Sequence, residues 1–319
     1  MQNKRIHIKP DDVLADIDEI ADGSEPRSRC KLYITPYDNE GINEACEANY
    51  YVGNRVPYHE HTTGFETFLI DGGVIEVHSL GMKAPAKKGD LVHIIPYTPH
   101  SIHALADNSI WRAFHQGLWL TPHMVEEREL RDRHWDLAFD PEFRIAGNKR
   151  KRDNWVDYQF PEFKDAPPEK IPAIRLFDAA IAQYDFEGIS LRLKVGRWET
   201  RGVKEVWQIH LSTGYKISWG ELHPFTHLYD VFSGSVKVSL EGMEPFTANA
   251  RDLLHIPKCF AGSIEALEET VLLDVGCQGF LTRFMDEVIT YREREPAKLK
   301  DKAFIKETMV KNDYHVTLI

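Results

Sequence analysis

The stretch YHEHTTGFE, residues 58–66, and His100 further along the chain dominate the sequence. His59 and His61 are two residues apart, so in an extended segment both imidazoles project from one face of a strand. Glu66 opens the next β-type run, and a short hairpin would bring its carboxylate beside them. His100 completes the set. Three imidazoles and one carboxylate suit a first-row transition ion better than calcium or magnesium, so the sequence predicts a metal site.

Length and charge limit the classes of protein to which the chain can belong. At 319 residues it is long enough for two domains of ordinary size, each with its own core. Lysine and arginine number 39 against 50 aspartates and glutamates, a net charge of −11. This balance disfavours nucleic acid or an anionic membrane surface as the main partner.

The cysteines and the N-terminal residues bear on the compartment. Four cysteines are too sparse for a disulfide framework and form no CxxC pair. The first residues lack the apolar core of a signal peptide, and no run of about 18 apolar residues occurs. The sequence therefore predicts a cytoplasmic protein.

Composition divides the chain into β-rich blocks and connecting segments. Turn-bounded runs of β-branched and aromatic residues occur in two blocks, the pattern of antiparallel sandwiches or barrels. Short helices are predicted over residues 11–20, 121–135 and 280–294. The predicted organisation is a lead-in at 1–28, a metal-binding β-domain at 29–139, a proline-rich linker at 140–172, a second β-domain at 173–283 and a C-terminal helix and tail at 284–319.

The two β-rich blocks repeat each other. GDLVHIIPYTPHSIHAL, residues 89–105, aligns without a gap on RDLLHIPKCFAGSIEAL, residues 251–267. The shared pairs DL, HI and SI and the closing AL occur in the same order at a separation of 162 residues. An ordered set of matches indicates an internal repeat, so two copies of one β-domain are expected.

Two spaced motifs carry a resemblance to a known family. The first consists of Gly53, His59, His61, Glu66 and Gly73, and the second of Gly89, Asp90, Pro96, Pro99 and His100. Together they resemble the two motifs of the cupin superfamily, although Ile95, Tyr97 and Ala104 depart from the usual residues of the second.

The resemblance implies an all-β chain with two tandem cupin barrels of the double-stranded β-helix or jelly-roll type and a few peripheral helices. It also implies one divalent transition metal bound inside the first barrel. The four ligands would be His59, His61, Glu66 and His100. Iron(II) is favoured, with manganese, nickel, zinc and copper as alternatives.

The second repeat lacks the same ligand set. At the 162-residue offset, the four ligands are replaced by Glu221, His223, Leu228 and Gly262, while a one-residue shift places His227 opposite Glu66. We therefore expect a folded but degenerate second barrel. Whether Glu221, His223 and His227 bind an ion remains open at this stage.

Other polar residues of the first block have different predicted roles. By alternation, His103 faces away from His100 and lies on the outer surface. His93 has a counterpart in His255 of the degenerate repeat, which suggests a structural role. Arg112 is a candidate anchor for a substrate carboxylate, although an arginine on an exposed strand face is an equal alternative.

Two classes of function follow from these features. The first is a metal-dependent dioxygenase of the two-barrel kind, which gentisate and quercetin dioxygenases exemplify. Its substrate would be a small oxygen-bearing molecule, with aromatic compounds among the candidates. Glu66 would serve as ligand or as catalytic proton acceptor. The alternatives are a non-catalytic binding cupin and a cupin isomerase or decarboxylase, since a shared ligand set does not determine the reaction. A homodimer is a further expectation.

Overall fold

The computed structural model describes residues 5–20, 26–38, 41–56, 58–116, 155–220, 225–278, 281–312 and 316–317. The chain forms two compact units. Asp12–Ala179 is the first barrel, and Met1–Asp11 together with Ala180–Ile319 is the second barrel. None of the described helices is long and apolar enough to span a bilayer.

The described residues form mainly strands, which confirms the all-β prediction. In chain order the strands are β1 His7–Ile8, β2 Ala15–Ile20, β3 Pro26–Ile34, β4 Glu44–Tyr50, β5 His59–His61, β6 Phe65–Gly72, β7 Val74–Ser79, β8 Met82–Lys87, β9 Leu91–Ile94, β10 His100–Ala104, β11 Ser109–Gln116, β12 Trp155–Asp157, β13 Lys164–Asp165, β14 Ile174–Arg175, β15 Ala182–Phe186, β16 Ile189–Val195, β17 Glu205–Leu211, β18 Lys216–Trp219, β19 His227–Ser233, β20 Ser235–Leu240, β21 Phe246–Asn249, β22 Leu253–Ile256, β23 Gly262–Ala266, β24 Thr270–Cys277 and β25 Val316–Thr317. The two α-helices are α1 Leu281–Arg294 and α2 Lys302–Lys311.

Two sheets build the first barrel. A seven-stranded sheet has the order β14-β9-β6-β11-β4-β3-β2, and a six-stranded sheet has the order β12-β5-β10-β7-β8-β13. Phe68 and Ile70 on β6 lie opposite Ala113 and Trp111 on β11, and all four belong to the buried core. Each fully buried large apolar side chain contributes about 1.5–3 kcal/mol to folding.

The second barrel repeats this arrangement. Its sheets have the orders β1-β22-β19-β24-β17-β16-β15 and β21-β20-β23-β18-β25. The N-terminal strand β1 completes the first of these through pairs with Leu253 and Leu254. Trp207 and Tyr229 lie in a continuous apolar core.

Three helices were predicted from the sequence, and the structure describes two of the segments. Residues 281–294 form α1, as predicted, and its buried Leu281, Phe284, Met285 and Val288 follow helical spacing. The prediction for 11–20 was wrong, because Ala15–Ile20 is strand β2 and pairs with β3. Pairing with a neighbouring strand overrides weak local helix propensity. The predicted helix at 121–135 lies outside the described residues.

The described part of the predicted linker, residues 155–172, contributes strands to the first barrel. β12 pairs with β5, and β13 runs parallel to β8. A strand of two or three residues is too short to show a period-2 alternation in the sequence. Such a strand joins the edge of a sheet through backbone hydrogen bonds, which do not depend on the side chains. Residues 140–154 of the predicted linker lie outside the described part.

We predict that Gly73→Ala destabilises the first barrel more than Gly81→Ala. Both glycines have a positive φ, +63° and +75°, so alanine introduces backbone strain of about 1–2 kcal/mol at either position. A Cβ at position 73 would also lie 2.7 Å from Ser109 Cα, whereas nothing lies within 4 Å at position 81. Urea unfolding should show a total loss of roughly 3 kcal/mol or more for Gly73→Ala, and equal midpoints for the two variants would contradict this account.

Candidate metal centre

The four predicted ligands come together inside the first barrel from two different sheets. His59 and His61 lie on β5, where His59 pairs directly with His100 of β10. Glu66 lies on β6 in the facing sheet. The predicted hairpin between β5 and β6 was therefore wrong, because the chain crosses between sheets after His61. The carboxylate reaches the imidazoles across the barrel interior.

The ligating atoms of these residues converge on one point. All four lie within 4.8 Å of one another. The Nε2 atoms of His59 and His61 are 3.1 Å apart, and His61 Nε2 is 3.1 Å from Glu66 Oε1. His100 Nε2 lies 3.0 Å from Glu66 Oε2. The three histidines are 1% exposed and Glu66 is 5% exposed, so these groups are shielded from bulk solvent.

The hydrogen bonding of His100 fits a bound cation. Its Nδ1 donates to the carbonyl oxygen of Thr98 at 2.9 Å. In the neutral imidazole, Nε2 then presents a lone pair toward Glu66. Metal-bound histidines are oriented in this way by a carbonyl on the other ring nitrogen. Two electron-rich atoms 3.0 Å apart are stabilised by a positive ion between them, so the residues present fit a divalent transition metal.

The electrostatic surroundings keep Glu66 ionised. Burial by itself raises the pKa of Glu66, but positive charge and N–H donation from His61 and His100 hold that pKa well below its usual range when no ion is bound. A bound cation would supply the positive charge when the imidazoles are neutral ligands. An ionised carboxylate with a low pKa is a good ligand and a weak base. This favours the ligand role of Glu66 over that of a proton acceptor.

Two residues of the centre escaped the sequence analysis. His115 lies opposite Glu66 in the register of β6 and β11, with its Nε2 3.5 Å from Glu66 Oε1. Its Nδ1 is 3.9 Å from Oε2 of Glu44, which is fully buried. Glu66, His115 and Glu44 therefore form a row of buried polar side chains. The alternation of Trp111, Ala113 and His115 was the available signal, but the inward face of β11 was undetermined in the sequence.

Arg112 lies on the other face of β11. It alternates with the inward residues Trp111 and Ala113, and its Nε is 3.8 Å from Oε2 of Glu47 on β4. Arg112 is buried. The structure does not bring this residue together with the four ligands, because neighbouring residues of a strand point to opposite faces. A substrate contact of Arg112 stays a prediction, and it would have to lie on the opposite face of β11 from the four ligands.

His103 follows the predicted alternation, and His93 also faces away from the barrel interior. His103 is opposite Glu76 in the pairing of β10 with β7, and the intervening Ile102 belongs to the core. His93 lies between the core residues Val92 and Ile94 and shares a 3.0 Å hydrogen bond with the Thr67 hydroxyl. Neither histidine faces the metal centre.

The second barrel has different residues at the equivalent positions. Trp219 pairs with Gly262 as His59 pairs with His100, so Trp219 and not Glu221 occupies the place of His59. A Cβ on Gly262 would lie 3.1 Å from the Trp219 indole and 2.5 Å from Leu240. Apolar atoms occupy the space that an imidazole needs.

The position of Glu66 is taken by His227. His227 pairs with Ile256 as Glu66 pairs with Ile94, which supports the one-residue shift in the alignment. Its Nδ1 is 2.8 Å from Asp274 Oδ2. Glu221 and His223 lie outside the described residues. Among the residues that the structure describes, both clusters suited to a metal lie in the first barrel.

Comparison with solved structures agrees with this architecture. The sequence matches no protein-family model and no curated protein. Its fold is similar to an oxalate decarboxylase–formate complex from Lactobacillus farciminis, with a TM-score of 0.53 at 14% identity, covering 84% of this chain and 85% of that one. A tryptophan-to-tyrosine variant of the Bacillus subtilis oxalate decarboxylase gives 0.54 at 14% identity, covering 98% and 88%. The Bacillus subtilis enzyme at pH 4.6 gives 0.52 at 16% identity, covering 86% and 76%.

These neighbours and the two-sheet barrels show that the chain has the two-barrel cupin fold, as the sequence motifs predicted. At 14–16% sequence identity, this similarity establishes the fold and not the reaction.

We predict that His100→Ala abolishes tight metal binding at this centre, whereas His103→Ala leaves it intact, because only His100 points inward. Metal content after reconstitution with iron, manganese, nickel and zinc provides the measurement. Wild-type protein that stays metal-free with all four ions would contradict the centre. A metal content in His100→Ala equal to that of the wild type would contradict the assignment of His100.

Proposed function

We propose that the chain is a metal-dependent enzyme that acts on a small carboxylate or related oxygen-bearing molecule at the interior of the first barrel. The observation that carries the proposal is the convergence of three imidazoles and one carboxylate within 4.8 Å in a buried site. A divalent ion bound there would polarise substrate oxygen atoms as a Lewis acid and provide exchangeable positions for them.

Among the reactions of such centres, decarboxylation has the better support. The solved structures reported above are oxalate decarboxylases, and they cover most of this chain. The similarity to these structures lends no support to a dioxygenase activity or to iron as the metal. We therefore propose the decarboxylase class in place of dioxygenase, with a divalent transition metal whose identity the assay below determines.

The residues of the chain contribute charge and position. With Glu66 ionised and three imidazoles neutral, a divalent ion would leave the centre with a net positive charge. An anionic carboxylate is attracted to such a site, the more so because the surroundings are of low dielectric. His115 lies beside Glu66 Oε1, the oxygen that also faces His61, and Glu44 lies behind His115. We assign His115 as a positioning residue for the Glu66 carboxylate.

The test compares two reactions on the same protein. Apo-protein is loaded separately with manganese, iron, nickel, zinc and copper and incubated with oxalate, other small carboxylates, catechols and hydroquinones. Carbon dioxide release without net oxygen consumption would support decarboxylation. Stoichiometric oxygen uptake would support the dioxygenase reading instead. Metal binding without turnover of any substrate would support a non-catalytic binding protein.

We expect His100→Gln to abolish turnover and His103→Gln to retain it, because the two histidines lie on opposite faces of β10. Retention of activity by His100→Gln would contradict the assignment of the site. Circular dichroism before the assay separates lost chemistry from lost folding.

His115→Gln should lower metal affinity or turnover by about 10–100-fold, the usual effect of removing a side chain that positions a ligand. His93→Gln is the matched control, since His93 lies on a strand of the same sheet but faces away from the centre. If His115 positions the Glu66 carboxylate, His115→Gln changes the metal affinity or the pH profile of kcat. If His115→Gln behaves like His93→Gln in both measurements, the role is excluded.

A further inference from the structure

A second cluster of ligating side chains lies on the outer face of the six-stranded sheet. Glu76 and His78 on β7 and His103 on β10 each offer one ligand atom, and these three atoms lie within 4.8 Å of one another. His103 is directly opposite Glu76 in the strand register. Val77 and Ile102, which alternate with them, point into the core. The cluster therefore faces away from the interior centre.

We propose that Glu76, His78 and His103 bind a second divalent first-row transition ion, of the zinc type. Two imidazoles and one carboxylate form a borderline donor set that suits zinc, copper, nickel or iron(II) and not calcium or magnesium. The inference does not depend on the function proposed for the interior centre.

The spacing of the groups fits an ion with little rearrangement. His78 Nε2 is 2.5 Å from Glu76 Oε1, and the rings of His78 and His103 have centroids 4.1 Å apart with a tilt of 31°. Bonds of about 2.0–2.2 Å from zinc to its ligands put the ligand atoms about 3–4 Å apart. Small rotations of the three side chains meet this requirement.

The imidazoles carry buried nitrogens that the protein does not satisfy. Within the described residues, Nδ1 of His78 and Nε2 of His103 are buried and have no hydrogen-bond partner. A buried polar atom in this state destabilises the folded protein. A Glu76–His78 hydrogen bond alone leaves Nε2 of His103 without a partner. An ion held by that nitrogen and by His78 Nε2 would satisfy it.

The charge state of the cluster is also suited to a cation. Burial lowers the pKa of His78, and burial with the nearby His78 and Arg55 lowers the pKa of His103 to about 4, so both rings are in the neutral, ligating form at neutral pH. Lys83 lies 3.4 Å from Glu76 Oε2, the oxygen directed away from His78. Because Lys83 contacts Oε2, Glu76 Oε1 stays beside the His78 imidazole, where an ion could bind both groups.

Aromatic rings from the segment after β12 cover the cluster. Phe160 stacks on His103 at 5.1 Å between centroids with an angle of 27°, and Phe163 meets His78 edge-on at 4.7 Å. These contacts partly desolvate the site, which strengthens an electrostatic interaction with an ion. An ion that holds the imidazoles would also hold the segment that packs on them.

Equilibrium dialysis against Zn²⁺ tests the proposal on the full chain. With one ion per cluster, wild type should bind two Zn²⁺ per chain, while Glu76→Gln, His78→Gln and His103→Gln should each lose one. His100→Gln should lose the other ion, and the His100→Gln, His103→Gln double variant should lose both. His93→Gln, which alters a histidine outside both clusters, should bind as wild type does.

The pattern of losses separates this site from the interior one. If Glu76→Gln and His103→Gln bind as much Zn²⁺ as wild type while His100→Gln loses it, the outer site is excluded and the interior centre stands. If only the outer variants lose Zn²⁺, the outer site stands and the interior centre fails.

A second measurement covers the case in which a variant fails to fold. Added Zn²⁺ should slow proteolytic cleavage near Phe160 in the His100→Gln protein, which retains the outer cluster. The wild-type protein should respond in the same way. Cleavage that is unaffected by Zn²⁺ in both proteins, together with a single bound ion in the wild type, would overturn the proposal.

Discussion

The first barrel depends on how it accommodates an ionised carboxylate in an interior that is shielded from bulk solvent. Glu66 is nearly fully buried, and its charge is stabilised by imidazoles that come from the opposite sheet. An isolated buried carboxylate costs several kcal/mol, so the residues around it must supply hydrogen bonds and positive charge. The imidazoles come from one sheet and the carboxylate from the other, so both sheets must pack together before the imidazoles can offset the cost of burying Glu66. The centre therefore forms only where both sheets of the first barrel are in place.

Strand alternation distributes the polar residues between two faces of the same sheet. On β10, His100 turns toward the interior, and His103, three residues later, turns outward. The register with β7 then brings His103 beside Glu76 and His78. One pair of strands thus lines an interior centre on one side and carries a second ligating cluster on the other.

The second barrel shows that this fold does not need a polar centre. Trp219 and Gly262 take the places of the paired His59 and His100, and the indole packs against the glycine. Replacing a buried charged cluster by well-packed apolar groups is often neutral or stabilising. The ligand set of the first barrel is therefore best understood as functional, since the repeat retains its core strands without it.

The sequence by itself determined the two-barrel architecture and the four residues of the interior centre. Regular alternation, the ordered repeat and the joint spacing of His59, His61, Glu66 and His100 are local properties of the chain, and they survive folding because strand side chains alternate strictly. The same rule placed His103 on the outer face.

Only the tertiary structure decided which strands pair and therefore which side chains meet. It made residues 15–20 a strand, joined β5 to β10 and not to β6, and placed His115 beside Glu66. It also put Trp219, and not Glu221, in the place of His59. Pairing partners are set by contacts between residues far apart in the chain, and a shift of one residue in register exchanges the two faces of a strand. For this reason local patterns identified the ligands of the centre but not the residues that surround it.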